Sequence, residues 1–365
     1  MKMTETLTRP DALTPDDEPL TDTGADRDYV VLGAIAVQHG PIGDIAASSD
    51  GVTLVVTNYG DNSVSLIAAD TLTADATVTV GGEAFAAAAT DDRAYVSTAS
   101  ASYDSVSVID TGTRTLITTH PLALNVTGLA VGPDGKHVFA SRAGRDGVDL
   151  AVIDTTSDRV GTVDLATGPG MSADAVRVSP DGQRVYVATS DTYGDNLVVV
   201  DAETARVAAT VTIWSTIRDV ALSPDGSAAY VLSYDPARGG AITIIDTTTN
   251  DIAADLHIGG TPIQMALSPD GTRAYVVDHD HVAVLCTMTN EVIDTITVGA
   301  QPSCVAASPD GGRLYVADYA GVVTAFSVAS DTYVLQPHVT AIDVAVPKAR
   351  ETEPATVPAL ISASV

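Results

Sequence analysis

Aromatic residues make up only 4% of this 365-residue chain, with three Phe and a single Trp. A core without large rings must be filled by Val, Ile, Leu and Ala, which favours many short strands with β-branched faces. Two cysteines exclude a disulfide framework. No stretch reaches the roughly 18 consecutive apolar residues of a membrane-spanning helix. The opening Met1-Lys2-Met3-Thr4-Glu5-Thr6 leads into no apolar core of a secretory signal. The expected location is therefore the cytoplasm, without a membrane partner, and non-classical export is the alternative.

Basic residues are scarce too, 18 Lys+Arg against 47 Asp+Glu, for a formal net charge of −29. Such a field repels phosphate backbones, so nucleic acid is not an expected partner. Many of the Asp residues fall in repeated turns, where a carboxylate accepts nearby backbone amides.

What the chain has is a repeat. Ser179-Pro180-Asp181-Gly182 followed by Tyr186-Val187 returns at Ser223, Ser268 and Ser308. Looser copies begin at Ser49 and Gly132, and a shortened one at Thr90. Alignment on Val55, Tyr95, Phe139, Tyr186, Tyr230, Tyr275 and Tyr315 gives spacings of 40, 44, 47, 44, 45 and 40 residues. Within each unit, short apolar or alternating segments are separated by turn residues, which reads as four strands per unit. Four strands in about 40–45 residues is the propeller period, and the 3.6-residue pattern of helical solenoids is absent. Pro and Gly in the motif suit a tight turn with a left-handed final residue, closing the hairpin between first and second strands. The chain is expected to be an all-β, seven-bladed propeller of four-stranded antiparallel blades over residues 29–346. Residues 1–28 are expected to form a disordered acidic tail and 347–365 a flexible C-terminal tail.

Ring closure needs a strand from elsewhere. Tyr29–Val37 precedes the first connector, where a fourth strand belongs, and is expected to complete the last blade beside Gly321–Val328. Tyr333–Gln336 competes for the same place, and Val339–Val346 would add outside it.

Val56-Thr57-Asn58 followed by Tyr59-Gly60-Asp61-Asn62-Ser63-Val64-Ser65, together with the seven turn repeats, resembles the YVTN-type repeat over roughly residues 29–328. That resemblance implies a seven-bladed propeller like those of surface-layer and YncE-like proteins, which are mostly binding or scaffold proteins. Some YncE-like proteins are associated with DNA, a role the −29 charge opposes.

Chemistry is expected on the face carrying the loops between second and third strands, which vary most. Binding-face candidates there are Asn58, Tyr59, Asp61, Tyr103, Arg142, Tyr193, Tyr234, Asp278, His279, His281, Asp318 and Tyr319. The run Asp278-His279-Asp280-His281 reads as a polar hairpin turn, because successive strand side chains point to opposite faces and make a poor metal cage. Asp44, Asp174, Asp219, Asp278 and Asp318 fall near one channel mouth, and as hard oxygen ligands would hold Ca²⁺. That arrangement would resemble metal-dependent propeller lactonases. No Gly-x-Ser-x-Gly or Cys-x-x-Cys occurs. Cys286 and Cys304 read as separate core residues, Trp214 as packing against a connector, and Arg142, Arg145, Arg218 and Arg238 as a scattered basic group.

The first reading is a non-enzymatic, monomeric binding or scaffold propeller without a cofactor, presenting an acidic loop face to a protein or peptide. The alternative is a lactonase-like hydrolase with a cation at the channel mouth.

Overall fold

The Ser-Pro-Asp-Gly repeat is where the fold is built. In the computed structural model, which describes residues 28–329 apart from 124, 192 and 193, each copy is a closed set of hydrogen bonds. The Ser179 hydroxyl donates to Asp181 (2.6 Å), and Asp181 accepts the Gln183 amide (3.0 Å). The amide of Arg184 donates back to the Ser179 hydroxyl (2.9 Å). The same Ser–Asp bond recurs at Ser48, Ser223, Ser268 and Ser308. These donors hold the carboxyls of Asp181, Asp225 and Asp310 below the usual range, Asp225 down to about 2.

Gly ends each turn for two reasons. Its φ is positive, 72° at Gly182 and 71° at Gly271, which costs an L side chain about 1–2 kcal/mol. It also lies against the proline of the neighbouring turn: Gly182 on Pro133, Gly226 on Pro180, Gly271 on Pro224, Gly311 on Pro269 and Gly51 on Pro309. The turns thus dock onto one another around one face of the ring. A Cβ at Gly271 would sit 2.8 Å from Pro224, whereas Gly60, at φ 86°, has nothing within 4 Å. Gly271→Ala is therefore expected to cost about 2–4 kcal/mol and Gly60→Ala only about 1–2, measured by chemical denaturation. Equal losses at the two positions would contradict turn-to-turn docking.

The described residues form 28 strands, numbered β1–β28 along the chain. They make seven four-stranded antiparallel sheets. The first blade is β2 (Ile42–Ala47), β3 (Thr53–Asn58), β4 (Ser63–Ala68) and β5 (Thr73–Thr79), in that order. The last is β26 (Pro302–Ala307), β27 (Arg313–Asp318), β28 (Val322–Val328) and, outermost, β1 (Tyr29–Ala36). The N-terminal strand therefore closes the ring, paired from Tyr29↔Val328 to Ala36↔Val322. The competing segments Tyr333–Gln336 and Val339–Val346, and the tails expected over 1–28 and 347–365 apart from Asp28, lie outside the described residues. Among those described, no helix is long and apolar enough to cross a membrane.

The core lies between blades. Ile42, Leu54 and Ile67 of the first pack with Tyr315, Ala317 and Val323 of the last. Small aliphatic side chains suffice because adjacent sheets press face to face. Where the second strand carries Arg-x-Tyr, its arginine reaches the next blade: Arg184 donates to the carbonyl of Thr247, and Arg313 to that of Ala69 (2.6 Å). At the closure, the same geometry serves β1. Arg273 donates to the Tyr29 hydroxyl (2.9 Å), and Tyr275 meets the Tyr29 ring edge-on at 6.1 Å.

The inner strands line a central channel of about 770 Å³. They are β2, β6 (Glu83–Ala89), β10 (Val126–Val131), β14 (Ser172–Val178), β18 (Thr216–Leu222), β22 (Gln264–Leu267) and β26. In six of them the pairing with the second strand slips near the same place, as between Ile217 and Asp219 or Pro302 and Cys304. A bulge re-aims the extra side chain. In β14 that residue is Asp174, in β18 Arg218 and in β26 Ser303.

Candidate functional site

Antiparallel order puts the Ser-Pro-Asp-Gly turns at one end of every blade and the loops between second and third strands at the other. Three of the expected loop residues, Tyr234, His279 and Tyr319, come together from the fifth, sixth and seventh blades. They surround a pocket of about 340 Å³ at the channel mouth, walled also by Arg218, Gln301 and Pro302. Arg218 and Tyr319 line the channel as well, so pocket and channel join.

The geometry of the mouth follows from the β18 bulge. Thr216 pairs with Tyr234 and Ile217 with Ser233, and the unpaired Arg218 swings over the Tyr234 ring, 5.4 Å from its centroid. The ring face favours the cation. Across the pocket, the His279 imidazole lies in hydrogen-bond contact with the Gln301 amide (3.1 Å). Tyr319 is 51% exposed.

Beneath the mouth, polar channel groups bind each other and the backbone of neighbouring blades. Asp219 accepts the Arg177 guanidinium (2.7 Å), its own Val220 amide (2.8 Å) and the Met265 amide of the sixth blade (3.0 Å). Asp44 accepts Ile45, the Ala87 amide of the second blade and the Gln264 side chain, each at 2.9 Å. Gln264 in turn accepts the Val305 amide of the seventh blade (2.8 Å). Burial pushes both carboxyls up, opposed at Asp219 by Arg177 and two amides, and at Asp44 mainly by the Ala87 amide and Gln264. Asp104 and Asp195 have a related part: each accepts the first-strand amide of the next blade, Val126 (3.0 Å) and Ile217 (2.6 Å).

The five carboxylates considered for Ca²⁺ are therefore divided. Asp44, Asp174 and Asp219 line the channel. Asp278 accepts the Thr261 and His279 amides, and the largely buried Asp318 accepts the Val322 amide. Among the described residues, no three His, Cys, Asp or Glu side chains group as a metal would need.

The remaining candidates are spread around the face. Asn58 is fully buried and donates to Ser63 and Ser65, so it shapes its own hairpin. Tyr59 stacks edge-on against Phe85, and Asp61 binds His39 (2.6 Å). Tyr103 is 48% exposed. Arg142 is taken up by Asp149 (2.6 Å) and Thr162 (3.0 Å) on its own blade. His281 pairs with Asp280 (2.7 Å). Tyr193 lies outside the described residues. One expectation is corrected: Trp214 is not packed on a connector but 86% exposed, at the edge of a cleft between the fourth and fifth blades. Ile213 precedes it buried at the end of its strand, and Trp214 stands in the bend that follows. Both cysteines are free.

Sequence reasoning grouped Arg218 with scattered cations and did not single out Gln301. A bulge is invisible in the hydrophobic pattern, although Arg218 stands where Asp174 stands in the fourth blade.

No family model matches the chain. A Mycobacterium tuberculosis protein described as seven-bladed beta-propeller protein Rv1057 is 46% identical over 231 residues, 54% of this chain and 59% of the relative. A Mycolicibacterium smegmatis seven-bladed beta-propeller protein is 46% identical over 175 residues, 47% of this chain and 48% of the relative. The matches thus span only about half of each relative's length. Among solved structures, a chain of Kuenenia stuttgartiensis hydrazine synthase superposes with a TM-score of 0.72, covering 81% of this chain and 98% of that one. At 23% identity, that likeness is one of fold.

Proposed function

We propose that this chain is a non-enzymatic, cytoplasmic propeller of the YVTN-repeat kind that binds a protein or peptide on its variable-loop face as a monomer. The observation that carries the proposal is the meeting of Tyr234, His279 and Tyr319 from three blades around one mouth pocket. Exposed aromatic side chains beside an oriented arginine are what recognition surfaces use. The opposite face is occupied by turns whose polar groups already bond one another. Arg218 places a positive charge at the mouth of an otherwise acidic chain, which would orient a partner as well as hold it.

The test is an affinity pull-down from native cells at low and moderate salt, with wild type and a Tyr234→Ala/Tyr319→Ala double variant. A partner recovered reproducibly with wild type and lost with the double variant is expected. No reproducible partner, or one retained equally by the variant, would defeat the reading.

A further inference from the structure

The mouth has a feature the chain's overall charge conceals. With 47 acidic residues against 18 basic, most arginines around the ring are neutralised or bound: Arg114 by Asp75, Arg142 by Asp149, Arg177 by Asp219, and Arg184 and Arg313 by carbonyls. Of the described arginines left without a carboxylate partner, Arg218 is the one that borders the mouth pocket. Its one described interaction is with the Tyr234 ring, and its exposed side chain borders both pocket and channel. The nearby carboxylates are turned elsewhere. Asp174, at the equivalent bulge of the fourth blade, accepts the Ser172 hydroxyl, Asp219 faces Arg177 and two amides, Asp278 faces the Thr261 and His279 amides, and Asp318 is buried on the Val322 amide.

The geometry points to the mouth pocket as a carboxylate-binding site, in which Arg218 takes the carboxylate of a ligand's Asp or Glu side chain or chain end. The Tyr234 ring holds the guanidinium, its carbon 5.4 Å from the ring centroid, at the border of the pocket. A planar carboxylate can meet the N–H edge of a guanidinium with two parallel hydrogen bonds. The aromatic surface does not suit a cationic ligand, because Arg218 already holds the cation position over Tyr234. One unpaired cation matches a single negative charge better than a phosphate dianion. Gln301, across the pocket, offers an amide that can donate to the same group. This inference rests on reading the mouth as the binding face.

Ligand-observed NMR tests it on the full chain with acetyl-Ala-Glu-Ala-amide, acetyl-Ala-Ala-Ala with a free C-terminus, the neutral acetyl-Ala-Gln-Ala-amide, and inorganic phosphate. At least one carboxylate peptide is expected to bind wild type with a dissociation constant on the order of 1 mM. Which of the two binds tells side chain from chain end. Arg218→Met, which keeps the stem over the ring and removes the charge, is expected to weaken that binding more than tenfold, with an unchanged melting temperature. Arg218→Lys should fall between. Equal binding to wild type and Arg218→Met, binding of phosphate but neither carboxylate peptide, or no carboxylate binding to wild type would overturn it. A partner lost from the pull-down with Tyr234→Ala/Tyr319→Ala but unaffected by Arg218→Met would leave the proposed function standing and sink this inference alone. Carboxylate binding without any partner would do the reverse.

Discussion

Deletion of residues 1–36 is expected to lower the melting temperature by at least about 10 °C. The deletion removes β1, the outermost strand of the last blade and the link that ties that blade to the first. It uncovers a full edge of β28 and empties the place of Tyr29, which is 8% exposed and packs with Tyr275, Leu314 and Phe326. Arg273, 6% exposed at its side chain, loses the Tyr29 hydroxyl and Asp28 together. Burial of one large ring contributes about 3 kcal/mol, and each lost ladder bond about 1. A total on the order of 5–10 kcal/mol, at about 2–4 °C per kcal/mol in a domain somewhat smaller than this one, gives the expected shift. The free β28 edge should also promote association between chains, visible as a larger species by light scattering. An unchanged melting curve would show that β1 does not close the ring.

Asp219→Ala is expected to destabilise the protein by about 3–5 kcal/mol, the largest effect of any single substitution considered. It strands the Arg177 guanidinium and leaves the Met265 and Val220 amides without their acceptor. Removing one partner of a buried ion pair costs about 3–5 kcal/mol. The Arg177 side chain is 35% exposed, so water takes up part of its charge and the lower end of that range is expected. Arg177→Met added to Asp219→Ala should recover part of the loss, because the stranded charge is gone while the amides remain orphaned. Chemical denaturation measures both. A loss below about 1 kcal/mol for Asp219→Ala would mean that the channel carboxylates do not join the blades.

That role was not legible in the sequence, and the reason is physical. The hydrogen bonds of the turn's Ser and Asp join residues within five positions of each other, so their purpose can be read from spacing. The closing strand could be counted, because a ring of four-stranded blades lacks one strand without Tyr29–Ala36. Asp219 and Asp44, in contrast, meet partners a blade away, at Met265 and Ala87. From the chain alone they look like free carboxylates near a channel mouth. Arg218 was hidden differently: its direction depends on a bulge, and alternation of apolar and polar residues does not reveal one. The loop candidates divide on burial. Tyr234, His279 and Tyr319 meet at the mouth, while Asn58 turns inward to its own hairpin serines.

The central claim is that binding takes place at the mouth over the fifth to seventh blades. Site-specific photo-crosslinking in native cells tests it most directly, with the reactive side chain at Tyr319 in one variant and at Gln183, on the turn face, in another. Mass spectrometry then identifies the adducts. A single recurrent partner joined at Tyr319 and absent at Gln183 is the result expected. Adducts to that partner at Gln183 with none at Tyr319 would contradict the claim and move the binding surface to the turn face.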